Sequence, residues 1–319
     1  MDIQHNQSLS DQWFHNPFHM EDLLVFDEAM LQAIITHQRF GVTLQLLARS
    51  CRHTPETIVQ QIVRRLSPVQ REHLWSELRH ECTLQEGEQA QQTLLDALFW
   101  ELIYWKMPER YEELTEGEDI HPDLFPSLMP RLRGQTVVDV GAGWGRASLA
   151  CVEAQAAHVT AVEPSPGLLR LLRHNIAQRN IQDTLTPCSG RFEELPLANA
   201  SVDYALSCSA FTALNEQGGE VGLGEMKRVT KPGGQILILW PRTCDHAWFH
   251  EHGFHYVSLT GASHMQIRFR SLSVALRCAD LFYGNKPEVK AYLQTTQKPL
   301  LPFTVIGLNP PSDYFWLQR

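Results

Sequence analysis

Val137-Val138-Asp139-Val140-Gly141-Ala142-Gly143-Trp144-Gly145-Arg146 is the stretch that decides the fold. The β-branched residues around Asp139 read as a buried strand. Glycines on alternate positions then mark a bend where the backbone takes φ > 0 and no Cβ stands between chain and ligand. A strand that ends in such a bend and opens a helix is a cradle for a nucleotide-like cofactor. The spacing narrows the choice, because a dinucleotide site carries Gly-x-Gly-x-x-Gly. Here the third glycine comes one residue early, and Arg146 stands where that pattern has glycine. Asp139, two positions before the first glycine, is foreign to the nicotinamide pattern as well.

Outward from this run, Thr136 to Val140 is the first strand and about Gly145 to Ala154 the helix after it. A second strand, His158 to Val162, ends in Glu163-Pro164-Ser165. Glu163 lies 20 residues beyond Gly143, the right distance for a β-α-β unit whose strands end at one edge of the sheet. A carboxylate there can accept two ribose hydroxyls, each such bond contributing about 1.5–3 kcal/mol. The alternative is a surface glutamate with no ligand.

Three more motifs follow in order: Gly190-Arg191-Phe192-Glu193-Glu194-Leu195-Pro196, then Asn199 to Cys208, then Glu225 to Leu239 with Lys231-Pro232-Gly233-Gly234 inside it. Over about Val137 to Trp240 the set resembles the class I S-adenosylmethionine-dependent methyltransferases, whose first motif is Asp/Glu-x-Gly-x-Gly-x-Gly. The likeness is to the broad small-molecule branch that includes quinone-biosynthesis enzymes. It implies an α/β fold, a Rossmann-like seven-stranded methyltransferase sheet, and a transferase that methylates a small-molecule acceptor with S-adenosylmethionine as cofactor. It further implies that Asp139 and the backbone of Gly141, Ala142 and Gly143 hold the methionine part and that Glu163, followed by Pro164, holds the ribose. Phe192 presents its N–H to the adenine, and Ser207 and Cys208, just past the fourth strand, line the floor under the methyl group.

Two positions depart from the family pattern. The third motif usually has Asp after its glycine, to bond the adenine amino group. Arg191 stands there instead and cannot accept a hydrogen bond, so it points away or adenine is read differently. Many relatives carry a histidine pair shortly after the fourth strand, where this chain has Thr212 and Ala213.

Positioning alone can contribute about 7–11 kcal/mol to such a transfer, so a base is needed only for a hydroxyl or protonated amine acceptor. Candidate bases are His246 and His250, in a run that also holds His252 and His255. One helical turn separates His246 from His250, but the spacing fits no standard zinc pattern, and packing histidines on a polar helix are the plainer reading. Tyr104, Trp105, Tyr111 and His121 precede the cofactor motif, where relatives place a lid. Asn309-Pro310-Pro311-Ser312-Asp313-Tyr314 is similar to an amino-methylating motif but falls outside its usual place after the fourth strand. Phe303 to Leu308 reads as the last, antiparallel strand, and Ser271 to Tyr283 as the helix before it.

The N-terminal part reads as helical: Met20 to Gln38, Pro68 to His80, and a stripe from Leu94 to Ile103 that Pro108 interrupts. Thr43 to Arg65 has the form of a helix-turn-helix, with Thr54 as N-cap and Pro55 at the first helical position. Between Arg39 and Arg79, seven arginines face three glutamates. DNA contact by a cofactor-sensing regulator, or grip on a nucleic-acid or protein substrate, is one reading; a packing or dimerisation unit is the other. The charged, proline-punctuated stretch Glu112 to Pro130 marks the junction. The expected division is 1–125 for a helical cap, the candidate surface of a homodimer, and 126–319 for the sheet.

The whole chain has 319 residues, is 43% hydrophobic and carries a formal charge of −9, which disfavours a nucleic-acid substrate. No apolar run approaches the roughly 18 residues of a membrane span. Seven scattered cysteines without a Cys-x-x-Cys pair, and no secretory leader at Met1, predict a cytoplasmic protein with reduced thiols.

Overall fold

Val137, Val138 and Val140 are buried on both sides of strand β1 (Thr136–Val140), as a central parallel strand requires. The computed structural model describes residues 13–36 and 41–319. Around β1 a seven-stranded sheet runs β3-β2-β1-β4-β5-β9-β6. Its strands are β2 (His158–Glu163), β3 (Leu185–Ser189), β4 (Val202–Cys208), β5 (Thr230–Leu239), β6 (His255–Ser258) and β9 (Asp313–Gln318). The first five are parallel, and β9 pairs antiparallel with both β5 and β6. The order reverses between β1 and β4, and the crevice outside the carboxyl ends of those strands is where open α/β sheets bind ligands.

The described chain divides into two compact units, Phe14–Pro108 and Glu109–Arg319 together with Trp13, so 109–125 lies with the sheet rather than with the helices that precede it. In the helical unit, a 3-10 turn (Met20–Val25) leads to α1 (Glu28–Thr36), α2 (Leu44–Cys51), α3 (Glu56–Arg64), α4 (Pro68–Glu77), α5 (Leu84–Ala97) and α6 (Phe99–Lys106). The expected helix from Met20 breaks at Phe26, because the Asp27 carboxylate accepts the Met30 N–H at 2.7 Å and starts α1 afresh. Its expected end, Gln38, lies outside the described residues. Ser67 and Gln70 form a capping box that starts α4. Thr54 does not cap α3: its hydroxyl donates back to Ser50 O at 3.0 Å, and Pro55 takes the cap position. Two of the arginines that suggested a basic face are spent on backbone. Arg65 donates to Gln61 O, and Arg71 to Leu66 O and Arg64 O, which satisfies carbonyls at the end of α3. Trp105 packs edge-on against Phe26 within this unit.

In the sheet unit, α7 (Pro108–Thr115) and α8 (Leu124–Leu132) precede β1. Helices α9 (Arg146–Glu153) and α10 (Pro166–Arg179) link β1 to β3, α11 (Gly219–Val229) precedes β5, and α12 (His246–Glu251) follows it. Ser165 and Pro166 start α10 as N-cap and first residue. Lys231 to Gly234 loop out of the ladder, since Thr230 faces Val202 but Gln235 faces Tyr204. Between β6 and β9 lies an insert: β7 (Gln266–Arg268), α13 (Leu272–Phe282), α14 (Pro287–Thr296), β8 (Leu300–Pro302) and the short α15 (Phe303–Ile306). The expected strand at Phe303 to Leu308 is therefore a helical turn. Phe303 and Ile306 are both buried at a spacing of three, and left-handed Gly307 ends the turn. The last strand is β9. No described helix is long and apolar enough to cross a membrane, and all seven cysteines are free thiols.

Candidate cofactor site

The bend after β1 is shaped by backbone that only glycine takes easily. Gly141, Gly143 and Gly145 have φ of +76°, +59° and +104°. A Cβ on Gly141 would also stand 2.6 Å from the Ala210 methyl, with the Phe192 ring at 3.5 Å. The N–H groups of Gly141 and Ala142 both donate to Val162 O, which ties the bend to the end of β2. That brings Glu163 to it. Glu163 is 5% exposed; its Oε2 accepts the Gly143 N–H at 2.9 Å and its Oε1 the Ser165 N–H at 2.8 Å. Arg191 closes a backbone turn with Glu194, just before Phe192 packs beside the bend. Ser207 and Cys208 are the last residues of β4, not a loop beyond it, and alternate across the sheet. Ser207 Oγ is buried without a partner, whereas Cys208 Sγ lies 3.8 Å from Arg146 Nη2.

Charged groups gather on the same side. Asp139 is buried in the sheet; Oδ2 accepts the Ser148 hydroxyl at 2.6 Å, and Oδ1 has no partner. Burial pushes its carboxyl up to about 6, against the pull of Ser148 and Arg146. Arg146 Nη1 donates to Glu118 Oε2 at 2.6 Å and to Thr115 O at 3.4 Å, and the guanidinium lies 5.8 Å from the Trp240 ring centre. Burial raises the Glu118 carboxyl while Arg146 holds it down. The Tyr111 ring lies 3.9 Å from where a Cβ on Gly143 would sit, and burial pushes its phenol up. Trp144 Nε1 donates to Thr115 Oγ1 at 2.8 Å. The end of α7 thus lies against the bend. Of the aromatic residues expected there, Tyr111 reaches it, whereas His121 is a buried connector bonded to Thr260 O and Pro311 O. The Arg146–Glu118 pair was missed by sequence reasoning. Its signal was the arginine directly after the third glycine, opposite an acidic run read only as a junction.

The histidines gather elsewhere. His246 Nε2 is buried without a hydrogen bond, 4.0 Å from Asp313 Oδ2, which also accepts the Tyr256 hydroxyl at 2.8 Å. Burial lowers His246 and raises Asp313. His250 packs on Phe315 and Tyr256, and His252 stacks on Trp248 while contacting Glu220. This cluster sits on β9 and β6, separated from β1 by β4 and β5. Among the described residues no group of three or more His, Cys, Asp or Glu is placed to share a metal ion. Two cavities, of about 260 and 340 Å³, open beside α2 within the helical unit. Non-glycine residues Ser209 and Trp240 take left-handed φ (+61° and +50°) just past β4 and β5. Asn309 is tied there as well: its carbonyl accepts Trp240 Nε1–H, and its amide donates to Thr243.

Residues 137–234 match a family described as "Methyltransferase domain". An uncharacterized methyltransferase of Mycobacteroides abscessus is 34% identical over 159 residues, 48% of this chain and 57% of that protein. A ubiquinone/menaquinone biosynthesis C-methyltransferase UbiE of Brucella anthropi is 35% identical over 119 residues, 36% of this chain and 43% of its own length. The chain spans about half the length of the curated relatives it matches. A SAM-dependent methyltransferase structure from Aquifex aeolicus superposes with a TM-score of 0.38 at 16% identity, covering 47% of this chain and 89% of that one. With its glycine bend and its acidic β2 terminus, the segment 137–234 is similar to the methyltransferase-domain family.

Proposed function

We propose that this protein transfers a methyl group from S-adenosylmethionine to a small-molecule acceptor. The observation that carries the reading is Glu163 bonded to the Gly143 N–H, which sets a carboxylate and a glycine bend side by side at adjacent strand ends. The residues fit the cofactor: the unpartnered Asp139 Oδ1 is a polar atom without a protein mate, and the bend offers backbone without side chains. The Glu163 carboxylate, anchored by the Gly143 and Ser165 N–H groups, would accept the ribose hydroxyls. Asp139 with Gly141, Ala142 and Gly143 would hold the methionine part, Pro164, Arg191 and Phe192 would line the adenine, and Cys208 would form the floor. When bound, the cofactor supplies an electrophilic methyl group on a sulfonium. The chain's own work is then to orient the acceptor and exclude water, for which Tyr111 lies beside the bend and Trp240 near Arg146. His246, across two strands, would serve as base only for an acceptor that reaches it.

The acidic balance of the chain and the backbone-committed Arg65 and Arg71 favour a small acceptor over nucleic acid. The helical unit is the proposed dimer surface, where Val69 and Trp75 on α4 and Leu84 on α5 are exposed. Free thiols support a cytoplasmic location. Calorimetry tests the cofactor reading: S-adenosylmethionine and S-adenosylhomocysteine bind, and NAD does not. Glu163→Ala weakens both by about tenfold or more, about 1.4 kcal/mol. Unchanged affinity would remove the ribose role.

A further inference from the structure

The amino-acid end of the proposed cofactor is a zwitterion, and the glycine bend with Asp139 offers its carboxylate no cation. We infer that the buried Arg146–Glu118 pair receives this zwitterion, the guanidinium taking the carboxylate and Glu118 taking the ammonium group. The inference rests on the cofactor reading and adds the two residues that would recognise its charged end.

Arg146 opens α9 directly after Gly145. Helical side chains lean toward the helix N-terminus, which here points the guanidinium to the carboxyl edge of the sheet. It reaches Cys208 at the end of β4 and Glu118 on the segment that lies against the bend. Of the charged groups that act on Tyr111 there, Glu118, Glu163 and Arg146, Arg146 is the cation. Its side chain is 17% exposed and that of Glu118 8%, so the pair is largely desolvated. A buried ion pair is a poor source of stability, because desolvation offsets most of the attraction. Its position is explained better by a ligand with the same two charges in reverse. The planar fork of arginine matches a carboxylate with two parallel hydrogen bonds, which lysine cannot do. The Trp240 ring centre lies 5.8 Å from the guanidinium carbon.

The test is calorimetry on the full chain with two ligands, S-adenosylhomocysteine and 5′-methylthioadenosine. They share nucleoside and thioether, but only the first has the amino acid. Arg146→Met is expected to weaken S-adenosylhomocysteine by about tenfold or more and to leave methylthioadenosine within about twofold. Arg146→Lys falls between. Retained methylthioadenosine binding also shows that the cradle is intact. Parallel losses for both ligands, or no loss for the first, overturn the inference. If Arg146→Met does not fold, Glu118→Gln decides: a loss of about fivefold confined to S-adenosylhomocysteine supports the site, and any other pattern overturns it. A wild-type chain that binds neither ligand overturns the cofactor reading itself, a result distinct from unselective loss in the variants.

Discussion

Asp139 carries the clearest electrostatic cost in the sheet. It is buried, one oxygen is bonded to Ser148 and the other to nothing. Burial pushes its pKa up to about 6 in the folded chain, against roughly 4 when unfolded. The folded chain therefore holds a proton that the unfolded chain gives up first. This group's contribution is most favourable below about pH 4 and declines as pH rises to about 6, above which the penalty is constant. Asp139→Asn keeps the shape and the Ser148 bond but has no charge to bury. It should be more stable than the wild type by about 1–3 kcal/mol at pH 7, with the difference fading below about pH 4. Urea unfolding at a series of pH values reads this directly; a variant no more stable at pH 7 contradicts it. Asp139, Glu163 and the glycines were legible in the sequence because a strand, a bend and a fixed spacing place them locally. The Arg146–Glu118 pair spans 28 residues and forms only when α7 and its following segment dock, so the arginine stands out in the sequence but its partner does not.

At the scale of elements, the segment after α7 behaves as an extra strand of the insert. Arg268 N–H donates to Gly117 O at 2.7 Å, Asp119 N–H donates to Gln266 O, and Glu118 bridges Ile267 beside β7. Glu113, Glu116 and Asp119 pair with Arg277, Arg270 and Arg268. Those arginines are about half exposed, so solvent screens the pairs, and the backbone fit decides the docking. Gly117 is the tight point: a methyl group there would run into the Arg268 carbonyl. Gly117→Ala should cost about 1–3 kcal/mol and speed hydrogen exchange at 115–119 and 266–268 while the central strands stay protected. Arg270→Ala should change stability by less than about 1 kcal/mol. Equal effects of the two would show that charge, not fit, holds the segment. This is why Glu112 to Pro130 reads as a linker from sequence: its charges and prolines look solvated, and their partners lie some 150 residues away. The Phe303–Leu308 misreading has the same origin. Apolar residues in a short run do not tell a strand from a single helical turn, and only burial of Phe303 and Ile306 together settles it.

At the scale of the whole molecule, the change from helical periodicity to alternating strands and helices at Thr136 was legible, but the division of the chain was not. Continuity of apolar pattern ends near Pro108, and the next residues are held by contacts made far along the chain: Glu109 with Arg170, Glu113 with Arg277, Gly117 with Arg268. Every residue proposed to hold the cofactor lies beyond that point. A unit of about two hundred residues is large enough to bury its own core, and its two apolar clusters, one on each face of the sheet, are complete within it. The fragment 109–319 should therefore fold alone and bind S-adenosylhomocysteine within about threefold of the full chain. It gives up Trp13, whose carbonyl accepts the Asn285 N–H and whose ring meets Lys286, at a cost of about 1–2 kcal/mol in stability. Those contacts, and that of Trp13 with Tyr283, are not with residues of the glycine bend, so stability should fall while affinity does not. A fragment that folds by circular dichroism yet loses the ligand would mean that the helical unit supplies part of the cofactor site, and the division of labour between the two units would have to be redrawn.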